Sequence, residues 1–548
     1  MEIQNADPDV EQDTEPHVFK QRVPALLEKA PLVIILVAVA VGSWIRLVPV
    51  FSVEFPLLDG GLFYLMVQEL RQAEYALPEY TSYNSGQIPF VYPPFGFYAA
   101  ALIADITNSP LINVQRIFPA VVSALTIPVF FILSRVMLAS LTQAAFATLA
   151  FALLPRSFEW FILGGGLTRA PGLLFALLTL SQGYLLYRSN ESRFAASTIV
   201  GGSLTVLSHA EKTWFLIYSM ALLFVFFGRS RKGILHSLVV IVGILLVTMP
   251  WWGLNISRHG LMPFLSAAQS GGGQWFSLWP LKSFVFTGEP MLPLFAVLGL
   301  FGMFVCLAKG TLFLPVWLVA VFFLQPRAAP TWASIPLALL AAITLDQMVL
   351  PALRAQMPIW TGRDISTRRR FHHVSVLSAI VPILFVGYLA SYEFLSDWRL
   401  VSNDPLYRPL PRSEREAMGW IAENTAGDSA FVVLSSLAFP RDSTSEWFPV
   451  LAKRLSLATV QGTEWLPGRQ FYKRWQQFEA LQRCANDSET CLQQWEQEAD
   501  RTFTHVYLVT GCCRELIDSL SASRHYLLIF QGKGGTVFAR IQQPAIQR

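Results

Sequence analysis

The chain has 548 residues, 53% of them hydrophobic and 14% charged, with 41 basic against 37 acidic side chains and a formal net charge of +4. That balance excludes a soluble multidomain protein and fits a polytopic membrane protein. The basic residues lie scattered between apolar stretches instead of forming one face, so no nucleic-acid partner is expected.

Residues 1–30 are polar and rich in acids, unlike the short basic start of a cleavable signal peptide, and are expected to be a cytoplasmic N-terminus. The apolar run Pro31 to Phe51 then reads as a retained transmembrane helix. Behind it the external loop 53–91 carries Pro56-Leu57-Leu58-Asp59-Gly60-Gly61-Leu62-Phe63-Tyr64. An acid held at a membrane surface is costly, which marks Asp59 as a functional candidate. The alternative is that Asp59 caps a helix beginning at Gly60 or Gly61.

Further apolar segments follow near 92–107, 111–136, 141–155, 170–187, 194–208, 213–228, 234–253, 290–308, 311–325, 331–350 and 374–396. Basic clusters separate them: Lys20, Arg22 and Lys29; Arg135; Arg188 and Arg193; Arg229, Arg231 and Lys232; Lys309; and Arg354 through Arg370. If 92–107 enters the membrane without crossing, every cluster falls on the cytoplasmic side with about eleven crossings, as the positive-inside rule asks. If it crosses, the parity fails for every later cluster. The expected transmembrane domain is 31–396.

Under this topology the outer face collects Asp59, Glu69, Arg169, His209, Glu211, Lys212, Arg258, His259 and Lys282. Arg169 follows Gly164-Gly165-Gly166, glycines that permit a tight irregular backbone, and Pro171 suits the first turn of a helix. Irregular backbone at that depth is tolerated only against protein or a water-filled cavity. Structural readings stand beside the functional ones: Arg169 as an ion-pair partner, His209 as a hydrogen-bonding residue, Glu211 and Lys212 as an interfacial salt bridge. Trp160, Trp251, Trp252, Trp275 and Trp279 fit an aromatic belt or platforms for sugar rings, and Gly271-Gly272-Gly273 a flexible loop.

From about Asp397 to Arg548 the composition turns soluble, and the topology places this C-terminal α/β domain outside the cell membrane. Ser413 and Glu416 suggest a capping box, and Phe431 to Leu434, Val506 to Val509, Tyr526 to Phe530 and Thr536 to Ala539 suggest strands. Two echoes, Glu446-Trp447-Phe448-Pro449 and Glu464-Trp465-Leu466-Pro467, are too few for a repeat architecture. Cys484, Cys491, Cys512 and Cys513 lie where disulfides persist. Three connectivities are open, and the short polar loop favours Cys484 with Cys491.

A loop Asp after the first helix (Asp59), Tyr92-Pro93-Pro94-Phe95, Arg116-Ile117-Phe118-Pro119 opening the next helix, and an external soluble tail together resemble the GT-C glycosyltransferases. The resemblance covers roughly residues 30 to 260, and the later helices by architecture alone. It implies an inverting transfer of sugar from a polyprenyl-phosphate carrier to a lipid, glycan or protein acceptor at the outer face of the cytoplasmic membrane. Relatives often carry paired acids in the first loop, Lys or His before the Pro-Pro, and a further acid in the next external loop. Here those positions are Gly60, Tyr92 and Arg169.

Such a transfer needs a base for the acceptor hydroxyl and cations for the departing phosphate. Asp59 is the expected base. Arg169, Lys212 and Arg258 are expected at the phosphate, with His209, Glu211 and Tyr92 as further binding residues. With Gly60 and Arg169 in place of the family's companion acids, the resemblance implies a metal-independent site in which a divalent metal is possible but not supported, and the spacing of His209 and Glu211 is not that of a metal-binding helix pair. The rival classes are a non-catalytic or transport protein holding an anionic lipid or glycan, and a degenerate transferase kept as an assembly partner.

Overall fold

The computed structural model describes residues 25–270, 285–355, 368–468 and 470–541. Lys282, Trp275, Trp279 and Gly271-Gly272-Gly273 lie outside them.

The membrane body opens with α1 (Ala25–Phe51), α2 (Gly61–Gln72), a two-stranded ribbon of β1 (Tyr80–Thr81) and β2 (Ile88–Pro89), and α3 (Phe95–Thr107). It continues with α4 (Leu111–Met137), α5 (Leu141–Leu153), α6 (Gly166–Ser189), α7 (Arg193–Ser208), α8 (Ala210–Phe227), α9 (Arg231–His259) and α10 (Met262–Ser270). Then come α11 (Leu294–Ala308), α12 (Phe313–Leu324), α13 (Ala329–Thr344), α14 (Leu350–Ala355) and α15 (Arg368–Asn403). Among the described residues, six helices are long and apolar enough to cross a membrane, and α3, α5, α11 and α12 are shorter apolar helices. The protein is therefore a multi-pass membrane protein. At 13 residues α3 rises about 20 Å, less than a bilayer core.

Burial sorts these helices into layers. The small residues of α5, from Ala144 to Leu153, are buried almost without exception, as is α13 from Ala333 to Leu340. These two helices pack together at the centre, with α1 and α4 against α5 and α11 against α13. By contrast α9 exposes Ile234, Leu235, Leu238, Val239, Ile241, Leu245 and Leu246, an apolar face suited to lipid.

Towards the C-terminus the chain combines helices with a sheet. A five-stranded sheet runs β4-β3-β5-β7-β6, from β3 (Ala430–Leu434), β4 (Leu455–Ser456), β5 (His505–Val509), β6 (Tyr526–Gly532) and β7 (Gly535–Arg540). β3 is parallel to both β4 and β5, so helices must carry the chain back between them. α17 (Ser443–Leu451) makes the first crossover, and α18 (Gln470–Arg483) with α19 (Glu489–Ala499) makes the second. β6 and β7 close the sheet as an antiparallel hairpin. Cys484 is bonded to Cys491 and Cys512 to Cys513, and Cys306 is free and buried in α11.

Two local expectations fail. The capping box does not form: α16 (Arg412–Asn424) starts one residue before Ser413, with no side-chain cap, and Glu416 pairs instead with Arg412 at 2.9 Å. α6 begins at Gly166, so Pro171 falls in its second turn and Arg169 in its first.

The α/β unit is seated on the first loop. Leu58 N–H donates to Arg408 O at 3.0 Å, Trp447 Nε1 to Leu58 O at 3.2 Å, and Tyr83 OH to Glu446 O at 2.7 Å. Asn84 and Ser456 exchange two bonds, at 2.9 and 2.7 Å.

Candidate functional site

The loop after α1 brings Asp59 to the start of α6, Gln115 at the start of α4 holds the neighbouring Gly60, and His209 and Lys212 at the start of α8 lie within electrostatic reach of Arg169. The Asp59 carboxylate is 7% exposed and has a defined partner on each oxygen: Oδ1 accepts from Gly165 N–H at 2.6 Å and Oδ2 from Arg169 Nη1 at 2.8 Å. Gly165 is the residue before α6, so the carboxylate also faces the positive end of that helix. The capping reading of Asp59 is thereby corrected. α2 begins at Gly61 without a side-chain cap, because the Asp59 side chain turns toward α6 instead.

Glycines make this approach possible. A Cβ on Gly164 would stand 1.8 Å from Asp59 O, and one on Gly60 2.3 Å from Gln115 Nε2, which donates to Gly60 O at 2.6 Å. Gly60 also has φ of +116°, a backbone conformation that L side chains rarely adopt. An acid at position 60 does not fit this backbone.

The second acid arrives from the α/β unit. Glu446, in α17 and 6% exposed, accepts from Gly60 N–H at 2.7 Å and from Gln461 Nε2 at 3.2 Å. The expectation of a lone acid is corrected by this contact, which joins residues almost four hundred positions apart. Burial, with Asp59 adding repulsion, pushes the Glu446 carboxyl up to about 8. Glu464, in the second echo, is raised in the same direction by burial, and its neighbour Trp465 packs 5.3 Å from the Tyr92 ring.

The cationic wall is formed by Arg169 and Lys212. Arg169 stacks over Trp160 at 5.6 Å, a cation–π distance. Lys212 is 3% exposed, lies over Trp332 and Phe161 at 4.7 and 5.3 Å, and reaches Glu211 at 3.5 Å. Glu211 in turn accepts from Trp332 Nε1 at 3.1 Å. The salt-bridge reading of this pair is realised, yet among the described residues this long contact is the one ion pair of the Lys212 charge.

His209 caps α8. Its Nδ1 accepts from Glu211 N–H at 3.2 Å, so in the neutral ring the proton sits on Nε2, which donates to Tyr92 OH at 3.1 Å. Burial lowers its pKa well below the usual histidine range, and Lys212 and Arg169 reinforce the effect. His209 is thus a neutral hinge pin between Tyr92 and α8.

Of the sequence candidates, Asp59, Arg169, Tyr92, His209, Glu211 and Lys212 come together. Arg258 does not join them: at the end of α9 it donates to the carbonyls of Leu77 and Pro78 at 2.9 and 3.3 Å. Glu446, Gln461 and Gln115 were not selected from the sequence. The repeated Glu-Trp-x-Pro was the signal for the first of them. Among the described residues, no group of three or more His, Cys, Asp or Glu side chains is arranged to hold a metal ion.

No protein-family model and no curated protein matches the chain. Solved structures do. ArnT from Cupriavidus metallidurans, bound to undecaprenyl phosphate, superposes with a TM-score of 0.54 at 14% identity over 94% of this chain and 98% of that one. The oligosaccharyltransferase AglB from Archaeoglobus fulgidus, in complex with an inhibitory peptide and a dolichol-phosphate, gives 0.52 at 14% identity over 88% and 70%. Both are GT-C glycosyltransferases. The chain has the GT-C fold.

The mycobacterial arabinofuranosyltransferase AftD, another GT-C protein, gives 0.52 at 14% identity, with 94% of this chain matching 40% of that longer one. The GT-C likeness extends over nearly the whole chain, beyond the residues 30 to 260 that the sequence motifs covered.

Proposed function

We propose that the protein is an inverting glycosyltransferase that moves a sugar from a polyprenyl-phosphate carrier to an acceptor hydroxyl, at the outer face of the cytoplasmic membrane. The observation that carries this reading is the Asp59–Arg169 pair, buried where the helix ends of a GT-C fold converge. Two like-folded proteins hold a polyprenyl or dolichyl phosphate, which supports the donor class.

The chemistry follows from charge placement. Asp59 takes the acceptor hydroxyl proton as that oxygen attacks the anomeric carbon. The bond from that carbon to the phosphate oxygen breaks, and its electron pair leaves with the polyprenyl phosphate. Arg169, able to form a bidentate fork, and Lys212, a compact point charge, offset the charge on the leaving phosphate. Single-step attack inverts the anomeric centre. Tyr92, His209 and Glu211 hold the cations and the pocket in place, and the α/β unit over Gly60 bounds the acceptor side. The eleven-crossing topology, with that unit outside, belongs to this reading.

The test is purified protein with a panel of polyprenyl-phosphate sugars, following released polyprenyl phosphate and transferred or hydrolysed sugar. Turnover that Asp59→Asn abolishes while the fold survives supports the reading. Full activity in Asp59→Asn would remove Asp59 as the base.

A further inference from the structure

Asp59 sits between two residues with positive φ, Leu58 at +52° and Gly60 at +116°. Glycine accepts that region. A leucine there meets a steric penalty and persists only where its surroundings over-determine it. At Leu58 those surroundings come from the α/β unit: its N–H donates to Arg408 O at 3.0 Å, and its carbonyl accepts from Trp447 Nε1 at 3.2 Å, its one donor among the described residues. On the other side of Asp59, Gly60 N–H donates to Glu446 Oε1 at 2.7 Å. The two peptide planes that flank the Asp59 Cα are thus held by adjacent residues of α17, the Glu446-Trp447 of the first Glu-Trp-x-Pro echo. Trp447 is fully buried and packs edge-on against Phe55 at 4.6 Å, which fixes the direction of its N–H.

We propose that Trp447 is a positioning residue for the transfer reaction: by holding the Leu58 carbonyl it keeps the left-handed turn before Asp59, and so aims the carboxylate at Arg169 and the acceptor. It touches neither donor nor acceptor. Without the indole N–H, Leu58 relaxes to negative φ, the peptide between Leu58 and Asp59 turns, and the carboxylate leaves its bonds to Gly165 and Arg169. The membrane body carries the base, and the α/β unit holds it in its working conformation. The role of Asp59 as base is taken from the transferase reading. The clamp on its loop is independent of that reading.

The experiment compares full-length protein in nanodiscs as wild type, as Trp447→Phe, which keeps an aromatic ring and removes the N–H, and as Trp447→Phe combined with Leu58→Gly. Amide hydrogen exchange is read over residues 57–61, and turnover is read with the panel of polyprenyl-phosphate sugars beside the Kd for undecaprenyl phosphate. Trp447→Phe should speed exchange at Leu58 and Gly60 about tenfold and leave β3 and β5 unchanged. Its kcat should fall about tenfold, while undecaprenyl phosphate binds no more weakly than to wild type. Leu58→Gly removes the penalty on the left-handed turn, so in the Trp447→Phe background it should restore kcat by about threefold or more. It does so although the loss of a buried side chain lowers Tm further. A Trp447 that served packing alone would give the opposite result, activity falling with Tm. If Trp447→Phe does not fold, benzothienylalanine at that position, with sulfur in place of the N–H at nearly the same size, replaces it. Unchanged exchange, full kcat without the N–H, or no recovery in a folded double variant overturns the proposal. Faster exchange with no turnover even by wild type rejects the transferase reading and keeps the clamp. Turnover that Asp59→Asn abolishes, with exchange unchanged in Trp447→Phe, does the reverse.

Discussion

Asp59→Asn is expected to abolish transfer and at the same time tighten the grip on polyprenyl phosphate. In the resting structure one arm of Arg169 is committed to Asp59 Oδ2 at 2.8 Å, and a phosphate must compete with that carboxylate for the guanidinium. A charge-assisted hydrogen bond is worth about 1.5 to 3 kcal/mol. Arg169 is 24% exposed, so part of that is screened, and about 1 to 2 kcal/mol is released to the ligand when the carboxylate becomes an amide. The Kd for undecaprenyl phosphate should fall about 5- to 30-fold. The Gly165 N–H still finds the amide oxygen, so the loop keeps its anchor. Losing the base costs about 10² to 10⁴ in rate. Titration in nanodiscs alongside a turnover assay separates the two effects. A folded Asp59→Asn protein that binds the lipid phosphate no better than wild type would refute the competition for Arg169.

Gly60→Ala forces a side chain into a φ of +116° and within 2.3 Å of Gln115 Nε2, so it should lower stability by about 2 kcal/mol or more, read as a fall in Tm. Arg169→Lys keeps the charge but loses the fork and the stacking on Trp160; polyprenyl-phosphate affinity should drop about tenfold, and an unchanged Kd would place the phosphate elsewhere. The carboxyls of Glu446 and Glu414, pushed up to about 8 and about 7, bind protons in the folded state that the unfolded chain has already released. Stability carried by these groups is therefore complete below about pH 4.5 and declines up to about pH 8, and Glu446→Gln should flatten part of that slope in thermal unfolding. Reduction of Cys484–Cys491 should lower the unfolding midpoint of the α/β unit while leaving the membrane helices unfolded last, with a cost of about 2 to 3 kcal/mol for so short a loop.

Hydropathy and charge made the membrane helices legible, because lipid-facing surfaces such as that of α9 are written in the sequence as unbroken apolar runs. Four strands of the sheet were legible as short apolar runs, whereas β4, only two residues long, has too little pattern to detect. Asp59 and Arg169 stood out as charges in an apolar context. That they touch was not legible, since it depends on α6 starting at Gly166 and on three glycines letting two loops meet. Glu446 was hidden for a related reason. Its place at the site depends on a contact from α17 to Gly60, and nothing within a window of sequence reports a partner hundreds of residues away. The Glu-Trp-x-Pro echo held the information without a mechanism to read it. Arg258 looked equivalent to Arg169 by topology, yet its guanidinium is spent on two backbone carbonyls.

The most direct measurement is an experimental structure of the protein in nanodiscs with a polyprenyl-phosphate sugar or its product, undecaprenyl phosphate. The phosphate should lie within about 3 Å of the Arg169 guanidinium and on the side facing Lys212, with the sugar-bearing position reaching toward Asp59. A phosphate held away from both Arg169 and Lys212, with Asp59 still closed on Arg169, would contradict the account.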